Sequence, residues 1–143
     1  MPIMDLHLHP MIVHFPIALF VSALGFEILN LVLKKDNFHE MASWLYLLAA
    51  VIAPFAAWTG LKEAEEHHLT KHPVFDLHRN FALLAVWTAL ATLPVLWFVK
   101  RRAPHLLRII FLVFLVLVVS AISIAAYNGG RLVYDYGIGV EKE

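Results

Sequence analysis

Four histidines stand at the starts of two apolar segments, where they have the residue type and spacing of metal or haem ligands. His9 and His14 belong to the sequence His-Pro-Met-Ile-Val-His-Phe-Pro, and His72 and His78 precede a later apolar segment. An imidazole at the mouth of a membrane helix requires a hydrogen-bond partner or a metal. The four side chains are therefore candidate ligands of a metal ion or of a haem iron.

The elements that position these histidines are membrane helices. The chain is 61% hydrophobic and 15% charged, whereas a soluble domain is about half apolar and about a quarter charged. Apolar segments at about 11–33, 41–61, 75–99 and 106–127 each meet the length of roughly 20 residues that a spanning helix needs. We expect residues 1–143 to form one all-α, integral-membrane bundle of four antiparallel helices running up-down-up-down.

The basic residues predict how this bundle sits in the membrane. Lysine and arginine are dense in the short links after the first and third segments, which are therefore expected to be cytoplasmic. Both termini then lie on the periplasmic side of a bacterial inner membrane, as do seven of the nine histidines. The candidate site is accordingly expected at the outer face.

Composition also excludes several classes of function. The chain has no cysteine, so disulfides, thiolate-held iron-sulfur clusters and covalent c-type haem attachment are excluded. Its formal net charge is zero, which gives no indication of a nucleic-acid partner. Histidine is the remaining soft ligand for a transition metal.

The first and third segments run in the same direction, so their histidines are expected to face each other across the bundle diagonal. A weak parallel repeat of the two helix pairs would match His14 with His78 and His9 with His72. A facing pair of imidazoles in a helix bundle is an arrangement that holds a b-type haem. We predict haem ligation by His14 and His78, with His9 and His72 holding a second haem or supporting the first.

Two arginines and the C-terminal tail are expected to complete this site. Arg79 and Arg131, at the outer rim, are candidate partners of the haem propionates. The glycine-punctuated tail 128–140 is expected to end the fourth helix at a glycine cap and to fold back as a lid.

A second histidine cluster supports an alternative function. His67, His68 and His72, with Glu65 one turn earlier, have the spacing of a zinc, copper or iron site, which favours a metal-binding or transport protein. A solvated charged helix end has the same composition. A third reading is a non-catalytic membrane subunit whose histidines only cap helices.

Glu27 is the only acidic residue inside a predicted span, with Asn30 one turn later. An intramembrane carboxyl group is a functional candidate by default. Proton relay, a hydrogen bond to a quinone and a neutral structural role all remain open for it.

Several motifs resemble the bacterial membrane proteins grouped as domain of unknown function 2231, and the resemblance covers nearly the whole chain. It is carried by the opening His-Pro-x-x-x-His-Phe-Pro, by Gly60, by His78 and by the terminal Tyr-Gly-x-Gly-Val. The resemblance implies a small four-span protein, in some members fused to a Rieske iron-sulfur domain, and hence electron transfer. The residues it marks are His9, Pro10, His14, Pro16, His78, Tyr136, Gly137, Gly139 and Val140.

The sequence thus predicts an electron-transfer protein rather than an enzyme with its own substrate. It would carry one or two b-type haems and pass electrons between the quinone pool, or another membrane carrier, and a periplasmic partner. A Rieske-type protein and a periplasmic cytochrome are the candidate redox partners, and a homodimer is left open. The lipid bilayer is the expected surrounding medium.

Overall fold

The computed structural model describes residues 8–66, 73–102 and 105–138, and within these ranges the chain forms four long helices. Each is long and apolar enough to cross a membrane, so the predicted all-α four-helix membrane bundle is confirmed. The helices are α1 (Leu8–Leu33), α2 (Asp36–Glu66), α3 (Pro73–Arg102) and α4 (His105–Tyr134).

The helices are longer than the apolar segments that predicted them. α2 begins at Asp36, where an acidic side chain suits the positive end of the helix dipole. α3 begins at Pro73, a residue favoured at the first helical position. The turn between α1 and α2 is closed by a hydrogen bond of 2.8 Å from the Lys34 N–H to the Asn30 carbonyl. The polar ends of these helices therefore extend past the apolar spans.

The bundle consists of two helix pairs. α1 packs along α2 and α3 packs along α4, while α1 meets α4 and α2 meets α3 over shorter stretches. Within the described residues α1 and α3 make no close backbone contact, so they lie on the bundle diagonal as expected. The centre is filled by buried aromatic and small side chains, among them Phe20, Tyr46 and Phe111. Large apolar side chains such as Trp87, which is 67% exposed, cover the outside and suit contact with lipid.

The two pairs repeat the same plan with a shift of 69 residues. α1 ends at Leu33 and α3 at Arg102, while α2 begins at Asp36 and α4 at His105, so both boundaries differ by 69. A parallel repeat of the helix pairs is therefore present, as the sequence predicted.

Packing in the core alternates large and small residues between the two halves. Phe20 of the first half corresponds to Ala89 of the second, and Ala42 of the first corresponds to Phe111 of the second, and all four are buried. At both pairs of equivalent positions a bulky ring therefore stands in one half and an alanine in the other. Such a combination of large and small side chains suits close packing of the core.

The fourth helix ends at a glycine cap within the tail 128–140, as the sequence predicted. α4 nevertheless continues past the predicted end of the span near residue 127, through Gly129 and Gly130 to Tyr134. The helix ends in a Schellman motif, in which the Ile138 N–H reaches the Leu132 carbonyl at 3.0 Å and Gly137 has φ +64°. Ile138 then packs against a small apolar cluster that includes Leu132, so the described part of the tail does turn back onto the bundle.

Replacing Gly137 should weaken this helix end. Because Gly137 adopts a left-handed conformation, Gly137→Ala should lower the free energy of unfolding by about 1 kcal/mol. Gly25→Ala is the matched control, since a Cβ at this helical position meets no atom within 4 Å. Thermal unfolding in detergent measures both variants, and equal melting temperatures for the two would contradict the assignment.

Candidate functional site

A cavity of about 690 Å³ lies between all four helices, at the end of the bundle where α1 and α3 begin. We call this the cavity end and the opposite end the far end. Alanine and glycine recur along its walls, and their small side chains leave a space between the helices. The small wall residues include Ala56, Gly60, Ala82, Ala85, Ala125 and Gly129. The polar side chains that line it are His9, His14, Glu63, His78 and Arg79, together with apolar residues from every helix.

His9, near the start of α1, is held by the backbone of α2. Its Nδ1 lies 2.8 Å from the Ala56 carbonyl oxygen. A carbonyl oxygen only accepts, so Nδ1 carries the proton and donates it. The other ring nitrogen, Nε2, is therefore the one with a free lone pair when the ring is neutral.

His78, near the start of α3, makes the same contact with α4. Its Nδ1 donates to the Ala125 carbonyl oxygen at 2.8 Å, which again leaves Nε2 for another partner. The two rings stand with their centroids 6.2 Å apart and their planes crossed at 83°. The cavity therefore contains a pair of imidazoles, each fixed in tautomer and orientation by a backbone carbonyl.

A glycine makes room for each ring. The residue four positions after the accepting carbonyl lies on the same face of the helix, directly under the imidazole. A Cβ at position 60 would lie 2.7 Å from Cε1 of His9, and one at position 129 would lie 3.1 Å from Nδ1 of His78. The close approach of His9 to α2 thus requires glycine, and that of His78 to α4 favours it.

The two contacts are equivalent under the 69-residue repeat. The shift is 78 − 9 for the histidines, 125 − 56 for the carbonyl residues and 129 − 60 for the glycines, which gives 69 in each case. The predicted register, which matched His14 with His78 and His9 with His72, is therefore wrong. The counterpart of His78 is His9, and the counterpart of His14 is Leu83.

His14 lies one turn deeper along α1 and has a different environment. It lines the cavity, but its side chain is exposed and its Nδ1 bonds the Pro10 carbonyl of its own helix. No neighbouring helix fixes its ring in the way that α2 fixes His9. Haem ligation by His14 remains a prediction that nothing in the fold favours over ligation by His9.

The two predicted arginines differ in position. Arg79 lines the cavity, pairs with Asp76 at 3.0 Å and stacks over Phe75 with its guanidinium 5.9 Å from the ring centroid. Arg131 pairs with Asp135 at 3.2 Å and is not among the residues of the cavity wall. Of the two, Arg79 is the cation next to the histidine pair.

The alternative metal cluster lies mostly outside the described residues. His67, His68 and His72 fall in the segment 67–72, which the description of the structure does not cover, and Glu65 is exposed near the end of α2. Within residues 8–66, 73–102 and 105–138 no group of three or more histidine or acidic side chains has the geometry of a metal site. The cluster therefore remains a prediction from sequence.

A sequence signal for the correct register was present. Ala-Ala-Trp-Thr-Gly at 56–60 recurs as Ala-Ala-Tyr-Asn-Gly at 125–129, each following its histidine by 47 residues. The two histidine-proline pairs are offset from this repeat and therefore indicate a different register.

Comparison with known proteins places the chain in one family. The family model described as "Predicted membrane protein (DUF2231)" matches residues 5–142. Neither the curated proteins nor the solved structures contain a match. As the sequence motifs had indicated, the chain belongs to the DUF2231 family of membrane proteins.

Proposed function

We propose that this protein is a membrane b-type cytochrome that carries one haem between His9 and His78 and transfers single electrons. The observation that supports this most strongly is the pair of imidazoles held by backbone carbonyls on opposite sides of one apolar cavity. The proposal keeps the haem predicted from the sequence and moves one of its ligands from His14 to His9.

The spacing of the rings fits a shared iron. Nitrogen ligands bind a metal at about 2 Å, so two imidazoles on opposite sides of one metal have ring centroids about 6 Å apart. The observed separation is 6.2 Å. A crossing angle of 83° between the rings is compatible with this arrangement, because metal ligation by two imidazoles does not require their planes to be parallel.

The bond from each Nδ1 to a carbonyl oxygen is the usual support for a metal-binding histidine. Such a bond fixes the tautomer, directs Nε2 toward the metal and increases its basicity. Ala56 and Ala125 supply this support through their backbones, so it does not depend on the side chain at either position.

The donor count favours haem over a bare ion. A structural zinc site uses four protein ligands, whereas two imidazoles converge here and the described residues contain no group of three metal-binding side chains. A porphyrin brings four nitrogen donors of its own, and a cavity of about 690 Å³ lies within the range of roughly 300–1,000 Å³ for ligand pockets. Arg79 at the wall is the candidate partner of a propionate.

A bound haem would supply one-electron exchange, and the chain would supply binding and insulation. His9 and His78 would hold the iron, and ligation by two histidines suits electron transfer. Apolar wall residues from all four helices would surround the ring. In the orientation predicted from the basic links, the haem lies in the periplasmic half of the membrane. It can then exchange electrons with a quinol-class carrier in the membrane and with a periplasmic protein.

Ligation by His9 and His78 predicts a specific spectrum. Protein expressed with a haem supply should show a Soret band and a reduced α-band, with one iron and one porphyrin per chain. His9→Ala and His78→Ala should each remove the spectrum of a haem with two histidine ligands, whereas His14→Ala should retain it. Retention in His9→Ala and loss in His14→Ala would return ligation to His14. Zinc or copper without porphyrin would favour the metal-transport alternative.

The glycines should act on haem binding through the rings they accommodate. Gly60→Ala should displace His9 from the Ala56 carbonyl, because the new Cβ would lie 2.7 Å from the ring. We expect haem affinity to fall about 10-fold or more, with a smaller loss for Gly129→Ala, where the contact is 3.1 Å.

Gly25→Ala controls for the effect of the methyl group itself, since position 25 has no neighbour within 4 Å. Haem titration followed by absorption measures all three variants. Equal affinities in the three would show that the close contact does not hold His9 in place.

A further inference from the structure

A second polar site lies at the far end of the bundle, away from the cavity. Glu27 of α1 and His39 of α2 are 3% and 7% exposed, and Nδ1 of His39 bonds a carboxyl oxygen of Glu27. The repeat does not reproduce this pair, because the counterparts of Glu27 and His39 are Leu96 and Arg108. The second half has leucine where the first half has Glu27, so helix packing at this position does not require a carboxyl group.

One nitrogen of this pair has no hydrogen-bond partner, and neither does the hydroxyl one turn later on the same helix. Among the described residues, the buried side-chain nitrogen and oxygen atoms without a partner are Nε2 of His39, Oγ of Ser43 and Nε of Arg108. Each such atom costs about 1–3 kcal/mol unless it is satisfied. His39 and Ser43 lie one turn apart on α2, so a single water molecule can bond both.

We infer that Glu27, His39 and Ser43 form a proton-binding site, with a bound water on His39 and Ser43, that exchanges a proton with the aqueous phase at the far end. A carboxyl and an imidazole in contact hold a proton between them in a low-dielectric interior. The neighbouring charged groups are Asp36 on α2, which interacts with His39 and bonds Arg108, and Arg108 on α4 at 2.7 Å from Asp36. Asp36 is exposed and lies one turn before His39 on α2, so the buried site lies near the aqueous phase at the far end.

Aromatic rings link the proton site to the cavity. Neighbouring rings stand edge to face along this path. Their centroids are 5.8 Å apart for His39 and Phe111, 5.1 Å for Phe111 and Tyr46, and 5.2 Å for Tyr46 and Phe20. Phe20 is part of the cavity wall. The three rings between His39 and the cavity are nearly fully buried, so the two sites interact through an apolar medium that screens charge weakly.

This linkage gives the proton site a role that rests on the proposed function. With a haem held by His9 and His78, gain of one electron would add one negative charge at the cavity end, and uptake of one proton by the Glu27–His39 pair from the far-end aqueous phase would compensate it. Loss of that electron to an acceptor protein would return the proton to the same aqueous phase. A quinol-class donor would supply its two electrons in two such cycles and release its own two protons as it becomes a quinone.

The first test uses the protein without haem. Infrared difference spectra recorded between acidic and alkaline solutions should show carboxyl bands from Glu27. These bands should vanish in Glu27→Gln, persist in the exposed-site control Glu40→Gln, and shift in His39→Gln. Identical difference spectra for the wild type and Glu27→Gln would overturn the proton site, whatever the haem content.

The second test uses the haem-loaded protein. The midpoint potential should fall with rising pH in the wild type and in Glu40→Gln, and this dependence should be flatter in Glu27→Gln. Equal slopes in all three would overturn the coupling, even if the infrared test succeeds. Failure of every form to bind haem would reject the cytochrome, and the infrared result alone would then decide the proton site.

Discussion

The bond from a histidine Nδ1 to a backbone carbonyl of the adjacent helix is the interaction on which the cavity end depends. In lipid, a polar side chain must find its partner inside the protein, and an imidazole near a helix start reaches the next helix through that helix's carbonyl oxygens. The accepting carbonyl lies over the residue one turn later, so Gly60 and Gly129 follow from the bonds at Ala56 and Ala125. One contact thereby sets the approach of the helices, the tautomer of the ring and the nitrogen that is left with a free lone pair.

The fold was predictable from the sequence, whereas the pairing within the site was not. Runs of apolar residues identify membrane helices directly, because length and hydropathy alone decide whether a segment spans. Which face of each helix points inward is harder, since lipid-facing and core-facing residues are both apolar and no amphipathic pattern separates them. His9 and His14 therefore looked equivalent in sequence, although only His9 has the Ala-x-x-x-Gly face of α2 beside it.

The equivalence of the two halves holds at the cavity end of the bundle and is lost at the far end. At the cavity end both halves supply a histidine, a carbonyl and a glycine at matching positions. At the far end Glu27 faces His39 in the first half, while Leu96 and Arg108 occupy the corresponding positions in the second. A ligand on the bundle axis can be bound by equivalent residues of both halves. A buried proton site needs only one carboxyl group, and a second one would add the high free-energy cost of another buried charge.

Buried aromatic side chains fill the core between the cavity end and the far end of the bundle. Tyr46 is fully buried and donates its hydroxyl to the Ala89 carbonyl of α3 at 3.3 Å, so its polar atom is satisfied within the protein. Phe20 of the first half and Phe111 of the second half both pack against its ring. These rings fill the centre and leave little room for a continuous file of water. In the proposed cycle, charge at one end would therefore influence the other through the electric field, while the proton would return to the side from which it entered.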